Sequence, residues 1–330
     1  AASPEEVLFT SGATEANNLA ILGLVDAAGE RAGRVLTFAT EHSAVLDPVE
    51  HLRRRGLAVE VLGVEPSGQP RLDTLEAALR AGGVLLVSAM HANNETGFIT
   101  DVAAIARLCR EHGALLHVDA SQSVGKIPVD VKALGADLLS LSAHKFHGPK
   151  GAGALWVRAG RPRVRLAPRQ LGGGHERGLR SGTLNVPAIV GMARALEIAL
   201  EATPQEGPRI AGLRDRLRDA MAGQLDGVEE NGDPARRLPG ALNLFFRNAQ
   251  AQALLNLLPG LAISAGAACS SASPEPSHVL RAMFGEDERA LCSLRFGLSR
   301  VTTHHEVDRA AALVVEAVRS VRALVPDEAR

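Results

Sequence analysis

Short apolar runs alternate with amphipathic stretches through the first half of the chain. The runs Val7–Thr10, Arg34–Ala39, Ala58–Gly63, Val84–Met90, Ala114–Val118, Asp137–Ser140 and Gly153–Val157 predict strands. Between them, Glu15–Ala28, Ser43–Arg55, Leu72–Ala81 and Val102–His112 carry helical periodicity. Apolar strands alternating with helices predict an α/β fold, with a large, mainly parallel seven-stranded sheet covered on both faces. The pattern changes after Leu171, where Gly172-Gly173-Gly174 opens a polar stretch that runs to Thr183. A helix near Pro187–Leu200 follows, then a Pro/Gly-rich bend at Thr203–Pro208 and a second helix over Ile210–Gln224. Strands near Ala241–Phe246 and Leu294–Leu298 predict a smaller α+β domain. The last helix, from Glu306 to about Leu324, has capping-box spacing at Thr303 and Glu306. Apolar residues recur along it at Val307, Ala310, Ala311, Val314, Val315 and Val318. The expected division is a large domain over residues 1–200 and a small C-terminal one over 201–330.

Composition narrows the function classes. Hydrophobic residues make up 46% of the chain, enough for a large core, and with eight Phe, one Trp and no Tyr that core is aliphatic. The formal charge of −1 gives no reason to expect nucleic acid or an anionic membrane as a partner. No apolar run reaches the roughly 18 residues of a membrane span. Three widely spaced cysteines form neither a disulfide framework nor a metal-binding pattern, which points to a reducing, cytoplasmic setting. The chain opens without Met, and Ser3-Pro4-Glu5-Glu6 leads straight into the first apolar run. That opening resembles a mid-domain connection, so an N-terminal segment is expected to be missing.

In parallel α/β sheets ligands bind beyond the carboxyl ends of the strands. Here the loops at those ends hold the unusual residues: Ser11 to Thr14, Glu41-His42, His91 to Gly97, Asp119 to Gln122, and Ser142 to Lys145. Asp119 and Lys145 are the most telling pair, one at a strand end and the other about one strand–helix–strand step later. A lysine that forms a Schiff base and an acid that keeps a pyridine nitrogen protonated are what pyridoxal phosphate chemistry needs. Ser11-Gly12-Ala13-Thr14-Glu15 ends a strand and starts a helix, so its backbone N–H groups and the Thr14 hydroxyl suit an anion or an ordinary helix cap. His42 suits stacking on a planar cofactor, proton transfer or simple solvation. Asn93-Asn94-Glu95-Thr96-Gly97 reads as a turn or, in a cofactor pocket, as an amide donor to the ring oxygen. Gln122 is placed to reach the same oxygen or the imine. Arg295, on a strand among apolar neighbours, either pairs with an acid or offers its guanidinium fork to an amino-acid carboxylate.

The cysteines differ in setting. Cys109 shares a helix with Ile105 and Leu108 and reads as a packed or half-exposed thiol, and Cys292 reads as core. Cys269 stands among small residues, Ser264 to Ser273, ahead of a helix expected to begin near Pro274-Glu275-Pro276. A loop thiol near a helix N-terminus is partly ionised below its free pKa of about 8.5.

Together the segments SGATEANN (11–18), TEHSAVL (40–46), HANNETG (91–97), HVDASQSVGK (117–126), SAHKFHGPKGAGAL (142–155), GGGHERGLRSGTLN (172–185) and SASPEPSHVLRA (271–282) resemble the cysteine desulfurases. These are fold-type I pyridoxal phosphate enzymes of the class V aminotransferase group. The Cys269 context is similar to the iron–sulfur-cluster-assembly branch, with its longer cysteine loop. The resemblance implies Lys145 as the cofactor lysine, Asp119 at the pyridine nitrogen and His42 stacked on the ring. It places Asn94 and Gln122 at the ring oxygen, and Ala13, Thr14, Ser142 and His144 at the phosphate. Thr183 reaches the phosphate of a neighbouring subunit, which implies a homodimer. Arg295, with Asn94, binds the substrate L-cysteine, and Cys269 takes its sulfur as a persulfide. The implied recipient is a sulfur acceptor or iron–sulfur scaffold protein, with no resident metal and Cys269 at most a transient cluster ligand. Members of the group usually begin with a segment carrying Asp-Asn-Ala-Ala-Thr-Thr that helps form the substrate pocket, and this chain does not contain it. A selenocysteine lyase or another class V aminotransferase is the nearest alternative. A nicotinamide-binding dehydrogenase lacks support, because no Gly-x-Gly-x-x-Gly follows the first strand. A non-catalytic scaffold predicts loss of Lys145 or Cys269, and both are present.

Overall fold

The computed structural model describes residues 3–160, 163–266, 276–285 and 288–324. The chain divides into two compact units. The first comprises Ala1–Gly63, Pro70–Ala92 and Thr100–Thr203; the second comprises Val64–Gln69, Asn93–Ile99 and Pro204–Arg330.

The first unit contains strands β1 (Val7–Thr10), β2 (Arg34–Phe38), β3 (Val59–Leu62), β4 (Val84–Met90), β5 (Leu115–Asp119), β6 (Leu138–Ser142) and β7 (Gly153–Val157). They form one seven-stranded sheet in the order β1-β7-β6-β5-β4-β2-β3. The expectation of a mainly parallel sheet is met: the pairings from β3 through β6 are parallel, and only β7 runs against its neighbours β1 and β6. The helices between strands are α1 (Ala13–Ala28), α2 (Ser43–Arg54), α3 (Leu72–Arg80), α4 (Val102–Glu111) and the short α5 (Val131–Leu134). α1 is apolar nearly all round, and Leu19 through Val25 are buried without a break. A helix of that kind has no solvent face to offer and lies inside the fold. It shares a core with Leu8, Val35, Val45, Leu52, Leu86, Leu138 and Leu155. The same helix buries one polar residue, Asn17, whose reason becomes clear at the site.

The stretch after Asn185 departs from expectation. Instead of two helices separated by a bend, α6 (Val186–Ala222) is one helix of 37 residues that runs through Pro204 and Pro208. Proline breaks helices because it lacks an N–H and crowds the carbonyl four residues back, not because its φ is wrong. Both prolines occupy exposed positions, where water can take the freed carbonyls. The Thr203 hydroxyl donates to the Ala199 carbonyl at 2.6 Å, and Arg209 pairs with Glu206 one turn later.

The second unit holds β8 (Val228–Glu230), β9 (Ala241–Phe246), α7 (Ala251–Leu257), α8 (His278–Phe284), α9 (Glu288–Leu291), β10 (Ser293–Gly297) and α10 (His304–Ala323). The three strands form an antiparallel sheet in the order β10-β9-β8. Its core joins Leu242, Leu244 and Phe246 to Leu294 and Phe296 and to Val307, Val314 and Val318 of α10. β8 has a single apolar residue, so periodicity gave no sign of it; Glu229 and Glu230 are engaged by arginines instead. The helix expected near Pro274 begins at His278, because Ser277 caps it by accepting the Leu280 N–H at 3.1 Å. α10 starts on the expected capping box. Thr303 Oγ1 accepts the Glu306 N–H at 3.3 Å and the Glu306 carboxylate accepts the Thr303 N–H at 2.8 Å. Thr303→Ala removes half of that exchange and is expected to lower stability by about 1 kcal/mol, read as a shift in denaturant midpoint.

Candidate active site

In the first unit the β1–α1 turn, the end of β5 and the segment after β6 carry most of the residues singled out from sequence. Gly12 caps α1 with φ at +155°, a conformation that L side chains rarely adopt. A Cβ on Gly153 of β7 would lie 2.6 Å from the Gly12 Cα, so the strand and the turn approach as closely as backbones allow. Ala13 and Thr14 open the helix, with Thr14 exposed. The Glu15 carboxylate does not repel an anion freely here: it is taken up by Arg180 at 2.8 Å and by the Ser11 N–H at 2.8 Å. Ser142 Oγ lies 3.5 Å from where a Gly12 Cβ would stand, and it bonds His144 Nδ1 at 2.8 Å. Partial burial, then the charges of Lys145, Lys150 and Lys126, hold the His144 imidazole below its usual pKa. A helix N-terminus, a hydroxyl, an imidazole and three lysines make a setting for a multiply charged anion.

Asp119 ends β5 and is buried. Its Oδ2 accepts the Asn17 Nδ2 at 2.8 Å, and its Oδ1 accepts the Ser121 N–H at 2.9 Å and the Ser121 hydroxyl. All three donors are neutral, and among the described residues no cationic side chain pairs with this carboxylate. Lys145, in a short 3-10 turn after β6, is half-buried, and its amine has no hydrogen-bond or ion-pair partner among the described residues. Gln122 Oε1 accepts Lys126 Nζ at 2.6 Å, which leaves the amide NH2 to donate elsewhere. His42 is the N-cap of α2, with Nδ1 accepting the Ala44 N–H at 3.0 Å. That bond places its ring proton on Nε2.

Three further expectations fall elsewhere. Thr183 is exposed, and no bond ties it to the residues above. The polar stretch before it is anchored on β1: the Phe9 N–H donates to Glu176 at 2.9 Å and Arg177 donates to the Val7 carbonyl at 3.0 Å. Asn94 and Arg295 belong to the second unit, where Arg295 Nη1 donates to the Asn94 carbonyl at 3.1 Å. The Asn94 side-chain Oδ1 is buried without a hydrogen-bond partner among the described residues. Neighbouring Asn93 accounts for the turn itself, accepting the N–H groups of Glu95 and Thr96. Cys269 lies outside the described residues. The other two cysteines are buried: burial pushes the Cys109 thiol up to about 12 and the Cys292 thiol up to about 11.

Sequence reasoning missed the supports beneath the site. Asn17 and Ser121 hold Asp119. Two residues before it on the same strand, His117 bonds Ser88 Oγ at 2.8 Å through Nδ1 and Ser140 Oγ at 2.9 Å through Nε2, linking β4, β5 and β6. Burial pushes His117 down to about 4, against the opposing pull of Asp119, so it is neutral at physiological pH. The signal was available: Ser88, His117 and Ser140 are polar residues inside apolar strands, as Asn17 is inside an apolar helix.

The sequence profile of the family described as Aminotransferase class-V matches residues 1–310. The chain belongs to the class-V aminotransferase family. Within that family it is 50% identical over 325 residues to the "Cysteine desulfurase IscS" of Aeromonas hydrophila subsp. hydrophila, a match covering 98% of this chain and 80% of that protein. Among solved structures, a "NifS-like protein" superposes with a TM-score of 0.88 at 36% identity, covering 96% of this chain and 84% of the other. DndA from Streptomyces lividans superposes at 0.78 with 42% identity, covering 90% and 84%.

Pyridoxal 5′-phosphate is the cofactor of this family, and the fold is that of its fold-type I enzymes. The residues present fit it. A buried carboxylate held only by neutral donors calls for a cation, which a protonated pyridine nitrogen supplies. An unpaired lysine amine suits covalent attachment, and the Gly12–Thr14 turn with Ser142 and His144 suits the phosphate.

Proposed function

We infer that this chain is a pyridoxal phosphate-dependent cysteine desulfurase that removes sulfur from L-cysteine, releases L-alanine and carries the sulfur on Cys269. The observation that carries this reading is 50% identity to a cysteine desulfurase over 98% of the chain. The half-buried amine of Lys145 and the carboxylate of Asp119, neither of them in an ion pair among the described residues, support it. When bound, the cofactor supplies an electron sink that stabilises negative charge at the amino acid's α-carbon.

The chain's own residues have the following tasks. Asp119, with Asn17 and Ser121 fixing both oxygens, holds a proton at the ring nitrogen. His42 would pack on the ring, and the Gln122 NH2 and the Asn94 amide would serve the ring oxygen. Ala13 and Thr14 N–H groups, the Thr14 and Ser142 hydroxyls and His144 hold the phosphate. Lys145 anchors the cofactor and moves the α-proton as a general base and acid. The Arg295 fork binds the substrate carboxylate, oriented by its bond to the Asn94 carbonyl. The Cys269 thiolate attacks the substrate sulfur: an S–S bond forms, the C–S bond breaks, and its electron pair stays with the carbon fragment that is protonated to alanine. Cys109 and Cys292 cannot serve, because burial keeps both as thiols at neutral pH.

Thr183, exposed and without a hydrogen bond among the described residues, serves the cofactor phosphate of a second copy, so the active form is a homodimer. The sulfur passes on to an acceptor or iron–sulfur scaffold protein in the cytoplasm. No helix among the described residues is long and apolar enough to cross a membrane. The test is incubation of cofactor-loaded protein with L-cysteine. L-alanine should appear, and Cys269 should gain one sulfur atom by mass. A selenocysteine lyase or aminotransferase would give no alanine with sulfur on Cys269, and that result would overturn the reading.

A further inference from the structure

The tasks above leave the buried acid Glu41 unused. Glu41 sits in the turn between β2 and α2, is 1% exposed, and its Oε1 accepts the Met90 N–H at 2.7 Å. Met90 ends β4 and stands in register with Asp119 at the end of β5. The next residue, His91, donates its N–H to the Asp119 carbonyl at 2.9 Å. On the other side, Glu41 directly precedes His42, the cap of α2. One buried hydrogen bond therefore joins the loop that carries His42 to the strand end that flanks Asp119.

We propose that Glu41 is a positioning residue for the cofactor site: its bond to the Met90 N–H sets His42 and Asp119 in fixed relation to one another. This rests on the assignment of His42 and Asp119 to the cofactor. The surroundings of Glu41 favour the neutral form of its carboxyl group. Burial pushes it well above the ordinary carboxylate range, opposed by the Met90 N–H and reinforced by the charge of Asp119. The adjoining elements bring further titratable groups, among them His42 at the cap of α2, His91 after β4 and His117 on β5. Burial pushes both His91 and His117 down to about 4, leaving them uncharged. Neutrality matters for function as well, because an ionised Glu41 would compete with Asp119 for the positive ring nitrogen.

The test compares cofactor-loaded wild type with Glu41→Gln, Glu41→Asp and Glu41→Ala. The visible absorbance of the lysine-bound cofactor and the thermal midpoint are followed from about pH 6 to about pH 10. A group with a raised folded pKa contributes its stability when protonated and loses it as pH rises through that value. Wild type should therefore lose thermal midpoint towards alkaline pH relative to Glu41→Gln, which keeps the acceptor and cannot ionise. Glu41→Gln should also keep the wild-type spectrum and its pH response. Glu41→Asp, one methylene too short to hold Met90, and Glu41→Ala should shift the pH midpoint of the band by about one unit and release the cofactor about tenfold more readily. If Glu41→Ala fails to fold, Glu41→Asp and Glu41→Gln still decide the matter. A shortened variant with wild-type spectrum, pH response and cofactor retention would overturn the proposal. So would Glu41→Gln declining with pH as wild type does. A wild type that never shows the band would overturn the cofactor reading, and this one with it.

Discussion

Lys145→Ala is expected to abolish the visible band of the bound cofactor and to lower turnover of L-cysteine by on the order of 10²–10⁴-fold, the usual share of a positioned general acid–base group. Loss of covalent attachment adds to that. Lys145 stands in a short turn directly after β6, its backbone set by β6 and by the neighbouring residues Ala143 and Phe146, both buried. Its amine bonds to none of the described residues, so removing it deletes chemistry and very little structure. The thermal midpoint of the cofactor-free protein should stay within the roughly 0.5 kcal/mol scatter of neutral substitutions. Lys145→Arg should fare no better than alanine, because a guanidinium stays protonated at any working pH and cannot add to an aldehyde. The measurements are an absorbance spectrum after reconstitution, alanine release, and a melting curve. A surviving band would refute the role of Lys145 outright.

Much of the first unit was legible because both faces of its sheet are covered. Strands such as β4 then read as continuous apolar runs, and the loops at their carboxyl ends stand out by contrast. That is why Asp119 at the end of β5 and Lys145 after β6 could be picked out without coordinates. Strand direction was harder, since periodicity does not encode it. The reversal of β7 follows from its connection: Ala143–Ala152 leaves no room for the crossover helix that a parallel pairing needs. Proline was over-read as punctuation in α6, where exposure makes the forfeited hydrogen bonds affordable. The polar supports were hidden for a different reason. Asn17, Ser88, His117 and Ser140 are local exceptions to an apolar pattern; the register of β4, β5 and β6 brings the last three together, and Asn17 reaches Asp119 from α1. Asn17 is the clearest instance, since it is 102 positions from the Asp119 it steadies. Glu41 was noticed only as the neighbour of His42, because nothing in sequence distinguishes a buried acid from a solvated one.

Cys269→Ser separates cofactor chemistry from sulfur transfer. The variant should take up the cofactor as wild type does and should respond spectrally to L-cysteine, since no task in holding either is given to this residue. Turnover should fall by roughly three orders of magnitude or more, as when a nucleophile that works within a unit is removed. Serine cannot stand in: its hydroxyl is not appreciably ionised at neutral pH and oxygen is a poor nucleophile towards sulfur, whereas a thiol with a pKa near 8.5 or below supplies thiolate. Rescue by another cysteine is also closed. Cys109 lies within α4 and Cys292 directly before β10, and burial pushes their thiols to about 12 and about 11. Cys109→Ala and Cys292→Ala should accordingly keep the wild-type rate wherever the fold tolerates the smaller side chain. Alanine formation in the first turnover is the decisive measurement, since it needs no downstream acceptor. Undiminished alanine from Cys269→Ser would mean that the C–S bond breaks without this thiol.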